Sequence, residues 1–153
     1  MNKYQPHVLV LPEDDANRQI ANGFDLEIGG PGQLKVLRPA GGWHKVLELF
    51  SSVHIAEMER YANRTMVLLV DFDESASRLG QVKEVIPSHL NDRVFLLGVW
   101  TEPEELPQGL RETGELLAKD CRDGTSKAWG HELLKHNAVE VDRLRKVVNP
   151  ILF

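Results

Sequence analysis

The sequence predicts an α/β protein, a three-layer sandwich with a mainly parallel sheet of about four strands between layers of helices. Short apolar runs alternate along the chain with longer segments of helical spacing. The strongest apolar runs are continuous rather than alternating, which is typical of strands covered on both faces. Glycine, proline and asparagine separate the segments. A strand–helix–strand order of this kind implies right-handed crossovers and a parallel sheet.

Four segments are predicted to be strands. They are residues 7–11, which Pro12 closes, the weak run 35–37, and the more apolar runs 65–70 and 93–99. The last two contain mainly valine, leucine and phenylalanine, which favour extended structure and burial. The third run matters most, because it ends in two aspartates.

Helices are predicted between and after these strands. Asp14 or Asp15 can cap a first helix, which we expect to end at Asn22-Gly23. Residues 43–61 show helical spacing, with an inner face formed by Val46, Leu47, Phe50, Val53 and Met58. Further helices are predicted at residues 75–85, 110–118, 128–134 and 140–148, before an apolar tail at 150–153.

Length and composition limit the classes of protein. A chain of 153 residues suits one domain, which we divide into a core at about residues 7–107 and a helical extension at 108–153. The formal net charge of −5 argues against a surface that holds nucleic acid by bulk electrostatics. Cys121 is the single cysteine, which excludes an intrachain disulfide. With no apolar run near the ~20 residues of a membrane span, we expect a cytoplasmic protein without a membrane partner.

Acidic residues follow three of the predicted strands. Asp71 and Asp73 end the third strand, and residues i and i+2 of a strand point the same way. Two further clusters follow the first and fourth strands, namely Glu13-Asp14-Asp15 and Glu102/Glu104/Glu105. Ligands of parallel sheets bind outside the carboxyl ends of the strands. Because carboxylate oxygens are the ligands of hard cations, this edge is predicted to be a divalent-metal site.

The ordered combination of these residues resembles the Toprim domain. A glutamate after the first strand, here Glu13, and an Asp-x-Asp after the third, here Asp71 and Asp73, form the pattern, within a Rossmann-like arrangement of four parallel strands. The Gly41-Gly42 turn is similar to one in the OLD-nuclease-like branch. The resemblance covers roughly residues 8–107. It implies phosphoryl transfer on DNA or RNA, as in nucleases, primases and topoisomerases.

The resemblance also implies roles for individual residues. Asp71 and Asp73 would hold Mg²⁺ or Mn²⁺, and Glu13 would be a metal ligand or the general acid/base. The OLD-like branch has an acid after the fourth strand and a later lysine at the metal centre. Loose candidates for these roles are Glu102, Glu104 and Lys127. That branch carries a second acid where this chain has Asn17, and Asp14 or Asp15 could replace it.

Other interpretations remain open at this stage. The aspartates are also good helix caps. Residues 10–18 are similar to the acidic start of response-regulator receivers, in which Asp71 would be the phosphoacceptor. A third interpretation is a catalytically silent Toprim-like module that binds a larger protein partner, which the negative net charge favours. The oligomeric state is left open.

Overall fold

The computed structural model describes residues 1–30 and 32–153. Its four strands are β1 (His7–Pro12), β2 (Leu34–Val36), β3 (Arg64–Leu69) and β4 (Val94–Leu97). They form one parallel sheet in the order β2-β1-β3-β4. The two central strands, β1 and β3, are buried along almost their whole length, as their continuous apolar sequences predict. The predicted fold class is therefore confirmed.

Helices cover both faces of the sheet. They are α1 (Asp15–Ile28), α2 (Trp43–Leu49), α3 (Ile55–Arg60), α4 (Ser77–Val85), α5 (Leu110–Asp123) and α6 (Ala138–Leu152). A π-helical segment, Phe50–His54, joins α2 to α3, and 3-10 turns occupy Ser88–Arg93, Pro103–Glu105 and Lys135–Asn137. One core lies between the sheet and α1, α5 and α6, and the other between the sheet and α2, α3 and α4. Among residues 1–30 and 32–153, none of the helices combines the length and apolar character that crossing a membrane requires.

The bounds of several helices differ from the predicted ones: α5, for example, continues from the expected end at residue 118 to Asp123. Helix α1 continues through Gly23 to Ile28, and Gly29 ends it with a φ of 72°. Gly23 is tolerated inside the helix because it faces the backbone of α5 at close range. At the other end of the chain, the predicted tail belongs to α6, and Leu152 is buried in the core.

Two other predictions are wrong. Residues 128–134 form turns rather than a helix, because tertiary hydrogen bonds fix their backbone. The Asp120 carboxylate accepts from the N–H groups of Ala128 and Trp129, and Leu133 accepts from the N–H of Trp100. Val53 was expected to face the core but is 45% exposed. It lies in the π-helical segment, whose extra residue per turn changes the face that each side chain occupies.

Side chains of α6 satisfy the outer edge of β4. Glu140 accepts a hydrogen bond from the N–H of Leu96 (3.1 Å), and Arg143 donates to the carbonyl of Val94 (2.9 Å). Asn137, just before α6, both accepts from the N–H of Gly98 (3.2 Å) and donates to its carbonyl (2.9 Å). The helix thus occupies the edge where a further strand would pair.

Helices α1 and α5 cross at unusually short range. A Cβ placed on Gly114 would lie 1.9 Å from the carbonyl oxygen of Ile20, and one on Gly23 would lie 1.9 Å from that of Arg111. Each glycine therefore lets the backbone of the other helix approach. This contact positions α1, whose N-terminus begins directly after the acidic cluster that follows β1.

We expect Gly114→Ala to lower the free energy of unfolding by about 2–3 kcal/mol, because the added methyl group would force the two helix backbones apart. Gly80→Ala in α4 is the matched control, since nothing lies within 4 Å of its Cβ position. That control should be neutral or stabilising by about 0.5–1 kcal/mol. Urea unfolding followed by circular dichroism measures both, and equal effects of the two substitutions would contradict the close crossing.

Candidate metal centre

The pairing of β1 with β3 brings two carboxylates to one edge of the sheet. Pro12 pairs with Leu69, and the backbone pairing continues past both strands, since the N–H of Glu13 donates to the carbonyl of Leu69 (2.8 Å). The N–H of Val70 in turn donates to Leu97 of β4 (2.9 Å). Glu13 and Asp71 therefore leave neighbouring strands at their carboxyl ends, where ligands of parallel sheets bind.

Three carboxyl groups form the acidic cluster, which consists of Glu13, Asp14 and Asp71. One oxygen from each lies within 4.8 Å of the others. Glu13 and Asp71 are each only 8% exposed, and Asp14 is half-buried. The Oε1 atom of Glu13 is buried and has no hydrogen-bond partner among the described residues. Buried charges of one sign need a compensating partner, and oxygen ligands of this kind suit a hard divalent cation.

Asn17 ties the two sides of the cluster together. Its side-chain nitrogen donates to Oδ1 of Asp14 and to Oδ1 of Asp71, both at 2.9 Å. Asp14 caps α1 at the same time, because its Oδ1 accepts from the backbone N–H of Asn17 at 3.0 Å. Asn17 is fully buried. The amide of Asn17 therefore holds two carboxylates in place.

Arg78 is the site residue that the sequence did not reveal. Its guanidinium donates to the backbone carbonyl of Asp71 and to Oδ2 of Asp73 (2.8 Å), and Nη1 lies 3.9 Å from Oε1 of Glu13. The guanidinium also lies over the ring of Trp43, 4.8 Å from its centroid. Arg78 lies in the first turn of α4, where a positive charge is unfavourable because it faces the positive end of the helix dipole. An arginine at that position therefore indicates that an anionic group lies close by.

Burial shifts the ionisation of both central acids. Burial and, after it, the negative charge of Asp71 raise the pKa of Glu13 to about 7, while the positive charge of Arg78 opposes the shift. Burial likewise raises the pKa of Asp71 to about 6, against the hydrogen bond from Asn17, which stabilises the ionised form. Near neutral pH the Glu13 carboxyl is therefore partly protonated. A cation that binds the cluster would displace this proton.

Asp73 lies beside the cluster rather than in it. Extended backbone gives way to a turn, since Asp73 and Glu74 have positive φ values of 48° and 58°. The expected same-side projection of Asp71 and Asp73 therefore does not place both carboxylates in the three-carboxylate group. The Asp73 carboxylate is 58% exposed and binds Arg78 instead.

The secondary candidates occupy different places. Asp15 turns outward to the side chains of Arg18 (2.9 Å) and Gln19 (2.7 Å). Glu104 is exposed, and its charge contributes to the raised pKa of Asp71. Glu102 is also exposed and directly precedes the 3-10 turn Pro103–Glu105, which contains Glu104.

Lys127 lies in another part of the molecule. Its backbone N–H donates to Asp120 of α5 (3.1 Å). Its side chain lines a cleft of about 370 Å³ beside α5, and none of the residues lining that cleft belongs to the acidic cluster. The structure therefore does not bring this lysine to the candidate centre.

Comparisons of the chain with protein-family models, with curated proteins and with solved structures found no match.

The raised pKa of Glu13 predicts how stability depends on pH. Its carboxyl is neutral in the folded protein below about pH 7, so folding gains stability at low pH and loses it as pH rises from about 4.5 through 7. Glu13→Gln should therefore be more stable than the wild type at pH 8, by on the order of 2 kcal/mol, and nearly equal to it at pH 4.5.

Urea unfolding at a series of pH values in metal-free buffer tests this expectation. Glu48→Gln in α2 is the control, because that exposed side chain pairs with Lys45 in its own helix. If the difference in the free energy of unfolding between Glu13→Gln and the wild type stays constant with pH, ionisation of Glu13 does not destabilise the folded protein.

Proposed function

We propose that the chain binds Mg²⁺ or Mn²⁺ at Glu13, Asp14 and Asp71 and performs phosphodiester chemistry on nucleic acid, as a Toprim-like nuclease. The observation that carries the proposal is the buried oxygen of Glu13, which lacks a hydrogen-bond partner among the described residues and lies within 4.8 Å of oxygens from two other carboxylates. A purely structural cap would not bury an acid in this way, because the capping role is already filled by Asp14.

The donor set fits the proposed metal. Three carboxylates on two adjacent strand ends are the hard oxygen ligands that Mg²⁺ and Mn²⁺ take. The bound ion would supply charge stabilisation for a phosphate undergoing in-line displacement. Asn17 would keep two ligands oriented through its paired hydrogen bonds, as outer partners of metal ligands do.

The protein groups contribute more than ligands. In the metal-free protein the pKa of the Glu13 carboxyl is about 7, so metal binding near neutral pH would release a proton from it. Arg78 places a fixed positive charge beside the cluster, where it would bind a phosphate oxygen. The net charge of −5 opposes an anionic DNA or RNA substrate, but Arg78 and a bound metal ion would make the site itself locally positive enough to hold a phosphate.

A non-catalytic module is the second candidate. Arg78 already lies within ion-pair distance of Glu13, so the cluster has an internal cation. If this arginine takes the place of the metal, the cluster is not a catalytic site. The negative net charge also opposes nucleic acid, so the protein would instead bind a larger protein partner. The receiver interpretation receives less support, because the segment after β4 leads to α5 and α6 rather than to a fifth strand that could carry the required lysine.

Thermal melting tests the metal site. We expect about 10 mM Mg²⁺ or Mn²⁺ to raise the Tm of the wild type by about 3 °C or more, because the ion binds only the folded protein. Asp71→Asn should lose most of this shift. Asp15→Asn is the matched control, since its carboxylate points away to Arg18 and should leave the shift intact. The absence of any shift in the wild type would contradict the proposed site.

Cleavage assays separate the enzyme from the silent module. Labelled single-stranded DNA, duplex DNA and RNA are incubated with the wild type and Mn²⁺, with Glu13→Gln and Asp15→Asn in parallel. For a nuclease, Glu13→Gln should be slower by about 10²-fold or more, because it replaces a charged metal ligand with a neutral amide. A wild type that binds metal but cleaves none of the substrates would favour the partner-binding module.

A further inference from the structure

We propose that Arg78 competes with the divalent cation for the acidic cluster, and that a phosphate group removes this competition by binding Arg78. The inference rests on the proposed metal site and adds a condition under which that site is filled. It predicts that metal and phosphate bind cooperatively, each favouring the other.

The competition follows from where the guanidinium lies. Nη1 of Arg78 is 3.9 Å from Oε1 of Glu13, the buried oxygen without a hydrogen-bond partner among the described residues. The same group donates to the backbone carbonyl of Asp71. A cation held by Glu13 and Asp71 would therefore lie next to a positive charge. The Arg78 side chain is only 16% exposed, so water screens this repulsion only in part.

Arg78 is held in place from two sides. Asp73 binds Nη2 at 2.8 Å, and the ring of Trp43 lies under the guanidinium at 4.8 Å. These contacts keep the positive charge beside the cluster when a metal arrives. Asp73 already offsets part of this charge, and an anion that binds the remaining N–H groups of Arg78 would offset more of it.

The guanidinium has donors to offer such an anion. Of its five N–H groups, the hydrogen bonds within the described chain use one on Nη1, to Asp71, and one on Nη2, to Asp73. The remaining N–H groups are donors of the kind that bind phosphate oxygens, and the 16% of the side chain that is exposed is where a phosphate would reach them. A bound phosphate would offset the charge of Arg78 and reduce its repulsion of the metal. By linkage, the metal would strengthen phosphate binding by the same factor.

Isothermal titration with Mg²⁺ at about pH 8, with and without inorganic phosphate, tests the proposal. Arg78→Gln should bind Mg²⁺ about tenfold more tightly than the wild type in the absence of phosphate. Phosphate should tighten Mg²⁺ binding to the wild type by about fivefold or more, and have little effect on Arg78→Gln. Arg18→Gln is the matched control: it removes the same charge from an exposed arginine paired with Asp15, and its affinity should stay within about twofold of the wild type.

The possible outcomes separate the proposed competition by Arg78 from the proposed metal site. Equal or weaker Mg²⁺ binding by Arg78→Gln, with binding intact in the wild type, would overturn the competition and leave the metal site standing. A wild type and Arg78→Gln that both fail to bind Mg²⁺ would remove the metal site and the inference together. Should Arg78→Gln prove unfolded by circular dichroism, Arg78→Met carries the same test, because its apolar stem can still cover Trp43.

Discussion

Two buried carboxylates at the ends of neighbouring strands set the main constraint on this structure. Glu13 and Asp71 are brought together by the register of β1 and β3, and their like charges must be balanced where little water reaches them. The surrounding contacts meet this requirement in different ways. Asn17 donates to one carboxylate, Arg78 supplies a positive charge, and protonation near neutral pH reduces the negative charge.

The balance is incomplete in a way that favours ligand binding. Most buried polar groups in a protein are hydrogen-bonded, because an unmet group costs free energy, and a buried acid without a partner costs more than a neutral group. Here an oxygen of Glu13 stays without a hydrogen-bond partner among the described residues, and Arg78 approaches it only to 3.9 Å. Buried polar atoms without a hydrogen bond often occur where a protein binds an ion or carries out catalysis. The proposed metal would bind the Glu13 oxygen, and the proposed phosphate would bind N–H groups of Arg78.

Much of this arrangement could be predicted from sequence, because it depends on local patterns. The continuous apolar runs indicated buried parallel strands, and chain order placed Glu13 and Asp71 at one edge. The contacts of Asn17 with Asp71 and of Arg78 with Glu13 could not be predicted, since each joins residues that are far apart in the chain; only the position of Arg78 in the first turn of α4 was a signal. Asp73 was misplaced because the i, i+2 rule holds only while the backbone is extended, and a turn with positive φ begins at that residue.

The contact between α6 and β4 has a consequence for how the protein is made. The groups that complete the edge of β4 come from Asn137, Glu140 and Arg143, about forty or more residues later in the chain. During synthesis, β4 leaves the ribosome well before its partner helix, and its edge can pair with other chains until that helix follows. Until α6 docks, the backbone groups of this edge are unpaired, which makes the order of folding matter for this part of the sheet.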